Sequence, residues 1–76
     1  MKQVIPNPAY VDGARWLDEF MRRHALNKQQ VTLILGENPA RVCERLNQEK
    51  PVPLAVRRRL ERWEADGCPR FPYWDD

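Results

Sequence analysis

Residues 27–53, NKQQVTLILGENPARVCERLNQEKPVP, contain the pattern that decides the fold. Asn27 and Gln30 have the spacing of a capping box, in which each side chain accepts a hydrogen bond from the backbone of the other residue. This spacing predicts that a short helix begins after Asn27. We expect the helix to end at Gly36, because glycine adopts the left-handed conformation of a helix end most easily.

A second helix follows the turn almost immediately. Asn38 can cap it and Pro39 is suited to its first turn, so we expect it to run to about Asn47. Pro51 and Pro53 then interrupt the chain. Two short helices joined by a tight turn form a helix-turn-helix layout, which makes nucleic-acid binding the leading functional hypothesis.

Helical spacing continues on both sides of this stretch. Asn7 and Pro8 predict the start of a first helix, although Gly13 leaves a start at Asp12 as an alternative. A last helix is expected over residues 54–65. The apolar stripes are Tyr10, Leu17, Phe20, Met21 and His24 in the first helix and Val56, Leu60 and Trp63 in the last. The predicted fold is all-α, a small bundle of four to five helices that contains the helix-turn-helix and ends in an irregular aromatic tail.

Length and composition favour one small cytoplasmic domain. The 76 residues predict a single domain over residues 1–76, with its core at about 8–65 and its tail at 66–76. No apolar run approaches the roughly 18 residues of a membrane span, and the N-terminus lacks the apolar stretch of a signal peptide. Cys43 and Cys68 are therefore expected to be free thiols.

Enzyme chemistry is not expected. The chain has one histidine, no serine and no glycine-rich phosphate loop, so the usual nucleophile and base pairs are missing from the sequence. One histidine beside two cysteines also falls short of a recognisable zinc site. We expect no metal, no cofactor and no small-molecule substrate. His24 is interpreted as a residue that interacts favourably with the end of its helix.

Positive charge is concentrated in the middle of the chain. Residues 28–63 carry eight Lys or Arg against four Glu, an excess of four, whereas residues 1–27 and 64–76 sum to +1 and −3. Phosphate binding requires such a concentration at the helix-turn-helix. A solvated surface is the alternative explanation.

The third helix divides into two faces. At about 100° per residue, Val42 and Leu46 point in one direction with Pro39 beside them. The opposite side is mostly polar and consists of Ala40, Arg41, Glu44, Asn47 and Gln48. A helix of this kind fits the major groove, where base edges present distinguishable patterns of donors and acceptors.

The residues from about 15 to 63 resemble the lambda-repressor and Cro-like helix-turn-helix domains. The matching positions are Asn27, Val31, Leu35-Gly36, Asn38-Pro39, Val42, Leu46-Asn47 and Pro51-Val52-Pro53. The resemblance implies about five helices, double-stranded operator DNA as the ligand and often a homodimer that regulates transcription in a phage, plasmid or mobile element. It places Lys28 and Gln29 near a phosphate, and it places Asn38, Ala40, Arg41, Cys43, Glu44 and Asn47 toward the groove.

The chain departs from that family at several positions. Thr32 adds a hydroxyl that must be satisfied, Glu37 stands where an apolar core contact is usual, and Gln48 stands where glycine is common. Leu33 and Ile34 occupy positions that are usually exposed to solvent. We expect the aromatic tail, residues 69–74, to cover this apolar surface or that of the first helix, in the same chain or in a dimer partner.

Further phosphate contacts are expected from Lys50 and from part of the Arg57 to Arg59 cluster, in particular Arg58. The alternatives are a solvated arginine face with an Arg57–Glu61 pair, and an ion pair of Glu44 with Arg41 or Arg45. Arg45 itself is either a DNA contact or a residue on the flank of the helix.

The second functional hypothesis is a protein-binding module on the same scaffold that does not bind DNA, such as a phage-encoded antagonist or an antitoxin-like partner.

Overall fold

The computed structural model describes residues 7–70. Over this range the chain forms α1 (Pro8–Arg23), α2 (Lys28–Leu35), α3 (Pro39–Leu46) and α4 (Leu54–Ala65), with no strand. The all-α class is therefore confirmed for this part of the chain. The expected packing of the aromatic tail concerns Phe71, Tyr73 and Trp74, which lie outside the described residues.

The start of α1 follows its local sequence. The Asn7 side chain accepts a hydrogen bond from the Ala9 N–H at 3.0 Å, and Pro8 is the first helical residue, so the alternative start at Asp12 is wrong. Gly13 lies inside the helix and is buried. A Cβ at this position would lie 3.0 Å from Val52 Cγ2. Glycine thus allows the segment that precedes α4 to pack directly against α1.

The starts of α2 and α3 also agree with the sequence. Asn27 accepts from the Gln30 N–H at 2.8 Å and Gln30 accepts from the Asn27 N–H at 2.8 Å, which confirms the capping box. Asn38 caps α3 by accepting from the Ala40 N–H at 2.9 Å. Thr32 satisfies its hydroxyl by donating to the Lys28 carbonyl at 2.8 Å.

All four helices are followed by a residue with positive φ. Gly36 has φ of +67°, which confirms the predicted left-handed turn between α2 and α3. Gly67 serves the same purpose after α4 with φ of +93°. After α1 and α3, however, the left-handed residues are Ala25 at +52° and Gln48 at +63°. Cys68, directly after Gly67, is also left-handed with φ of +53°. Ala25, Gln48 and Cys68 therefore carry a steric cost that glycine would not have.

The core lies between α1, α2, α3 and the inward face of α4. Its fully buried side chains are Leu17, Phe20, Val31, Val42 and Leu60. The predicted α4 stripe of Val56, Leu60 and Trp63 is confirmed as buried. The Trp63 indole N–H also donates to the Pro69 carbonyl at 2.8 Å, so the segment after α4 turns back onto the helix.

The covering of Ile34 involves an element that was not expected. Ile34 was expected to form, with Leu33, an apolar surface of α2 that the aromatic tail or a dimer partner covers, and only 8% of the residue is exposed. The reason is that α4 packs against α2, where the Arg59 side chain donates from Nε to the Ile34 carbonyl at 3.2 Å. Leu33 remains 38% exposed.

None of the helices within residues 7–70 has the length and apolar character needed to span a membrane.

Candidate nucleic-acid interface

The orientation of α3 is fixed from its buried side by an apolar residue and an ion pair. Val42 is fully buried, and Arg45 is only 6% exposed. The Arg45 guanidinium donates to both carboxylate oxygens of Glu37, at 3.2 and 2.8 Å. The expectation that Glu37 leaves a core contact missing is therefore wrong, because a charged pair occupies that place. Arg45 is neither a flank residue nor free to contact DNA, and its partner is Glu37 rather than Glu44.

The outward face of α3 contains the residues expected to meet the groove. Ala40, Arg41 and Asn47 are exposed and Glu44 is half-buried. With Val42 buried, a rotation of about 100° per residue places Ala40, Glu44 and Asn47 near the middle of this face. Arg41 lies on one flank of it.

A groove about 210 Å³ in volume runs between α3 and the segment that leads to α4. Its lining includes Arg41, Glu44 and Lys50. All three were predicted as site residues. Arg45 also lines the groove, so three cations share it with one carboxylate, and one of the three, Arg45, is already paired with Glu37. An anion in the groove would be attracted by Arg41 and Lys50 and repelled by Glu44.

Lys28 lies in a different depression. Lys28 and Gln29 are exposed at the start of α2, as expected. The depression that Lys28 lines has a volume of about 470 Å³, and Arg15 and Gln48 also line it. Arg15 was not among the predicted site residues. In the sequence, Arg15 could be recognised only as a residue outside the apolar stripe of α1. That position does not indicate that it lies near Lys28.

The three consecutive arginines of α4 point in three directions. Arg57 lies over the ring of Trp16, with its guanidinium carbon 5.2 Å from the ring centroid. Arg59 donates a hydrogen bond to the Ile34 carbonyl. Arg58 is exposed on the side of α4 opposite its buried residues. Among the described residues no ion pair joins Arg57 to Glu61, so that expected pair is wrong. The arginines form no single phosphate-binding cluster.

The remaining cations are distributed over α2, α3, α4 and the segment between α3 and α4. Arg45 and Arg62 are paired with Glu37 and Asp66. Within residues 7–70 no ion pair with a carboxylate is formed by the cations proposed as site residues, namely Lys28, Arg41, Lys50 and Arg58. Their charge is thus available to an external anion.

Asn38 and Cys43 complete the expected set. The Asn38 side chain is exposed, but its oxygen is used by the cap of α3. Cys43 is half-buried on the flank of α3 and is a free thiol. No group of three or more His, Cys, Asp or Glu suited to holding a metal ion occurs in the described part of the chain.

Comparisons of the chain with protein-family models, curated proteins and solved structures found no match. What the chain does is therefore inferred from its own residues.

Proposed function

We propose that the chain is a sequence-specific DNA-binding transcriptional regulator of Cro/repressor type. It would read the major groove with α3, as the second helix of a helix-turn-helix. The observation that carries the proposal is the way in which α3 is held. Val42 and Arg45 fix one side of the helix, while Ala40, Glu44 and Asn47 project from the other. The major groove, about 12 Å wide, admits a helix presented in this way.

The start of α2 supplies the first contact with the DNA backbone in this proposal. Lys28 and Gln29 are exposed there, between the two residues of the capping box. The free N–H groups of a first helical turn carry partial positive charge, which favours a phosphate at this position. Lys28 adds a full charge.

The side chains of α3 supply base contacts. Arg41 can donate two hydrogen bonds to a guanine, and Asn47 can bond to an adenine edge. Glu44 can accept from a cytosine amino group, and the Ala40 methyl can contact a thymine methyl. Lys50 and Arg58 would bind phosphates. A homodimer would place two copies of α3 on half-sites about 34 Å apart.

A titration of labelled duplex by fluorescence anisotropy tests this proposal. Neutralisation of about four phosphates gives a log–log slope of roughly −3.6 against salt concentration, from about 0.9 per contact. We expect a slope of about −2 to −4 between about 50 and 200 mM salt. Absence of binding, or a slope near zero, would overturn the proposal. Arg22→Ala is a suitable control, because Asp18 already pairs with that cation on α1.

The alternative, a protein-binding module such as a phage-encoded antagonist or an antitoxin-like partner, has its own supporting observation. Glu44 lies near the middle of the outward face of α3, and Leu33 and Leu54 are 38% and 60% exposed. A carboxylate and exposed apolar side chains suit a protein surface better than a phosphate backbone. Glu44→Gln distinguishes the two functions. Binding of random duplex should strengthen if Glu44 faces phosphate, whereas a chain that binds only protein would show no duplex binding with either residue.

A further inference from the structure

Three side chains form a line where the ends of α1 and α4 meet. Cys68 Sγ lies 3.6 Å from His24 Nδ1, and His24 Nε2 lies 2.5 Å from Glu64 Oε2. The two contacts use opposite nitrogens of the imidazole. A thiol, an imidazole and a carboxylate are thus connected in the order that activates a cysteine nucleophile.

The carboxylate determines which imidazole nitrogen carries the proton. His24 Nε2 lies 2.5 Å from Glu64 Oε2 and 3.5 Å from Arg23 Nε, which also donates toward it. Because the carboxylate contact is much the shorter, we assign the hydrogen of the neutral ring to Nε2, which leaves the lone pair of Nδ1 facing the Cys68 thiol. The hydrogen bond from His24, with the nearby charge of Arg23, lowers the pKa of Glu64. Arg23 Nη2 is 3.0 Å from the same carboxylate oxygen. Glu64 therefore remains an acceptor at neutral pH.

The ring and the thiol are both held in place. The His24 side chain is only 15% exposed, and it packs between Phe20, at 4.7 Å between ring centroids, and Trp63, at 5.4 Å. Cys68 is positioned by the turn after α4, in which its N–H donates to the Trp63 carbonyl at 3.1 Å. The thiol is half-buried, so a small reagent can still reach it.

We propose that Cys68 is a site of thiol–disulfide exchange with small disulfides. His24 accepts the thiol proton, and Glu64 is a positioning residue. This activity is independent of DNA binding by α3. The reaction needs a deprotonated sulfur and access to the disulfide, and it does not need donors that stabilise an oxyanion.

The exchange step is balanced as follows. The proton moves from Cys68 Sγ to His24 Nδ1, and the thiolate attacks one sulfur of the disulfide. A new S–S bond forms to Cys68 and the original S–S bond breaks. The departing thiolate takes the proton from His24. Cys68 is oxidised to a mixed disulfide, and half of the reagent is reduced to a thiol.

Cys43 provides an internal reference thiol. Within residues 7–70 no hydrogen bond joins Cys43 to His24, the one histidine of the chain. The full-length Cys43→Ala variant isolates Cys68, and Cys68→Ala isolates Cys43. Each reacts with neutral dithiodipyridine near about pH 7, where release of the thione is followed by absorbance. We expect Cys68 to react at least about tenfold faster than Cys43.

Variants in the Cys43→Ala background test the two supporting residues. His24→Gln should lower the Cys68 rate at least about tenfold, and Glu64→Gln should lower it by a smaller factor. Glu61→Gln is the matched control, because it removes the same charge from an exposed position of α4. Equal rates for the two thiols would overturn the proposal. So would a Cys68 rate that is unchanged by His24→Gln.

A second measurement applies if His24→Gln does not fold. Nitrogen NMR of the Cys43→Ala variant at neutral pH reports the protonation of each imidazole nitrogen of His24. We expect a proton on Nε2 and none on Nδ1, and we expect Glu64→Gln to reduce this preference. A neutral ring with its proton on Nδ1 could not accept from the thiol. That result would leave Cys68 as an apolar contact at the end of α4 and would overturn the proposal.

Discussion

Arg45 joins α3 to the turn that precedes it by donating two hydrogen bonds to Glu37, at 2.8 and 3.2 Å. The Arg45 side chain is 8% exposed and that of Glu37 is 23% exposed. Removing two such charges from water costs free energy that their attraction only partly returns. The pair therefore contributes more to the orientation of α3 than to the net stability of the fold.

Removal of the Glu37 side chain should lower the free energy of unfolding much more than removal of an exposed carboxylate. Glu37→Ala leaves the Arg45 guanidinium buried without its partner, and we expect the free energy of unfolding to fall by about 2–4 kcal/mol. Asp18→Ala is the control, because the exposed Asp18–Arg22 pair should contribute about 0.5 kcal/mol or less. Urea denaturation measures both. Equal, small losses would show that water replaces Glu37 as the partner.

Replacing Gln48 with glycine should stabilise the protein. Gln48 has φ of +63°, and relief of the steric cost should exceed the added entropy of the unfolded chain by about 0.5–1 kcal/mol. Gly36→Ala is the reverse case. The space around Gly36 is open, so the loss of about 1 kcal/mol expected there comes from its conformation alone. Thermal unfolding distinguishes the variants. A less stable Gln48→Gly would mean that packing of the Gln48 side chain outweighs its strain.

Arg41 and Lys28 should affect DNA binding differently. Arg41→Ala should cost about 1–3 kcal/mol on a selected sequence and relax the base preference, because Arg41 lies beside the outward face of α3. Lys28→Ala should weaken binding to all sequences alike, since a phosphate contact carries no base information. Competition with specific and random duplexes measures both effects. Equal losses on both duplexes for Arg41→Ala would exclude Arg41 from base contact.

Stability should decrease on acidification in a way that depends on Glu64. Its pKa is lowered in the folded protein by the His24 hydrogen bond and by Arg23. The unfolded chain therefore binds the proton more readily, and the stabilisation is lost as the pH falls from about 4.5 through the folded pKa. Glu64→Gln should flatten the stability profile in this window. Glu61→Gln should leave the slope unchanged, and an equal slope in wild type and Glu64→Gln would contradict the assignment.

The features that have a local cause could be predicted from the sequence. The capping box at Asn27 and the left-handed turn at Gly36 involve neighbouring residues, and both were predicted. The division of Arg57, Arg58 and Arg59 among three directions also follows from helix geometry, since about 100° separates successive side chains. The number of arginines in the segment does not show this division.

The remaining features depend on contacts between distant residues. Burial of Ile34 requires α4 to pack against α2, and the contact of His24 with Cys68 spans 44 positions of the chain. The pairing of Glu37 with Arg45 was missed for a different reason. Glu37 was interpreted by the family pattern as a lost apolar contact, and Arg45 was interpreted as a DNA contact, a residue on the helix flank or a partner of Glu44, although the two residues are only eight positions apart.

The two sides of α3 differ in how many substitutions they can tolerate. Substitutions at Ala40, Glu44 and Asn47 alter what the helix presents without touching the residues that orient it. Substitutions at Val42 and Arg45, in contrast, would disturb the orientation of the helix. A library randomised at positions 40, 44 and 47 would consist mostly of folded proteins, each with a different recognition surface. Under the proposed function, a few codon changes would alter what α3 binds while the helical framework stays unchanged.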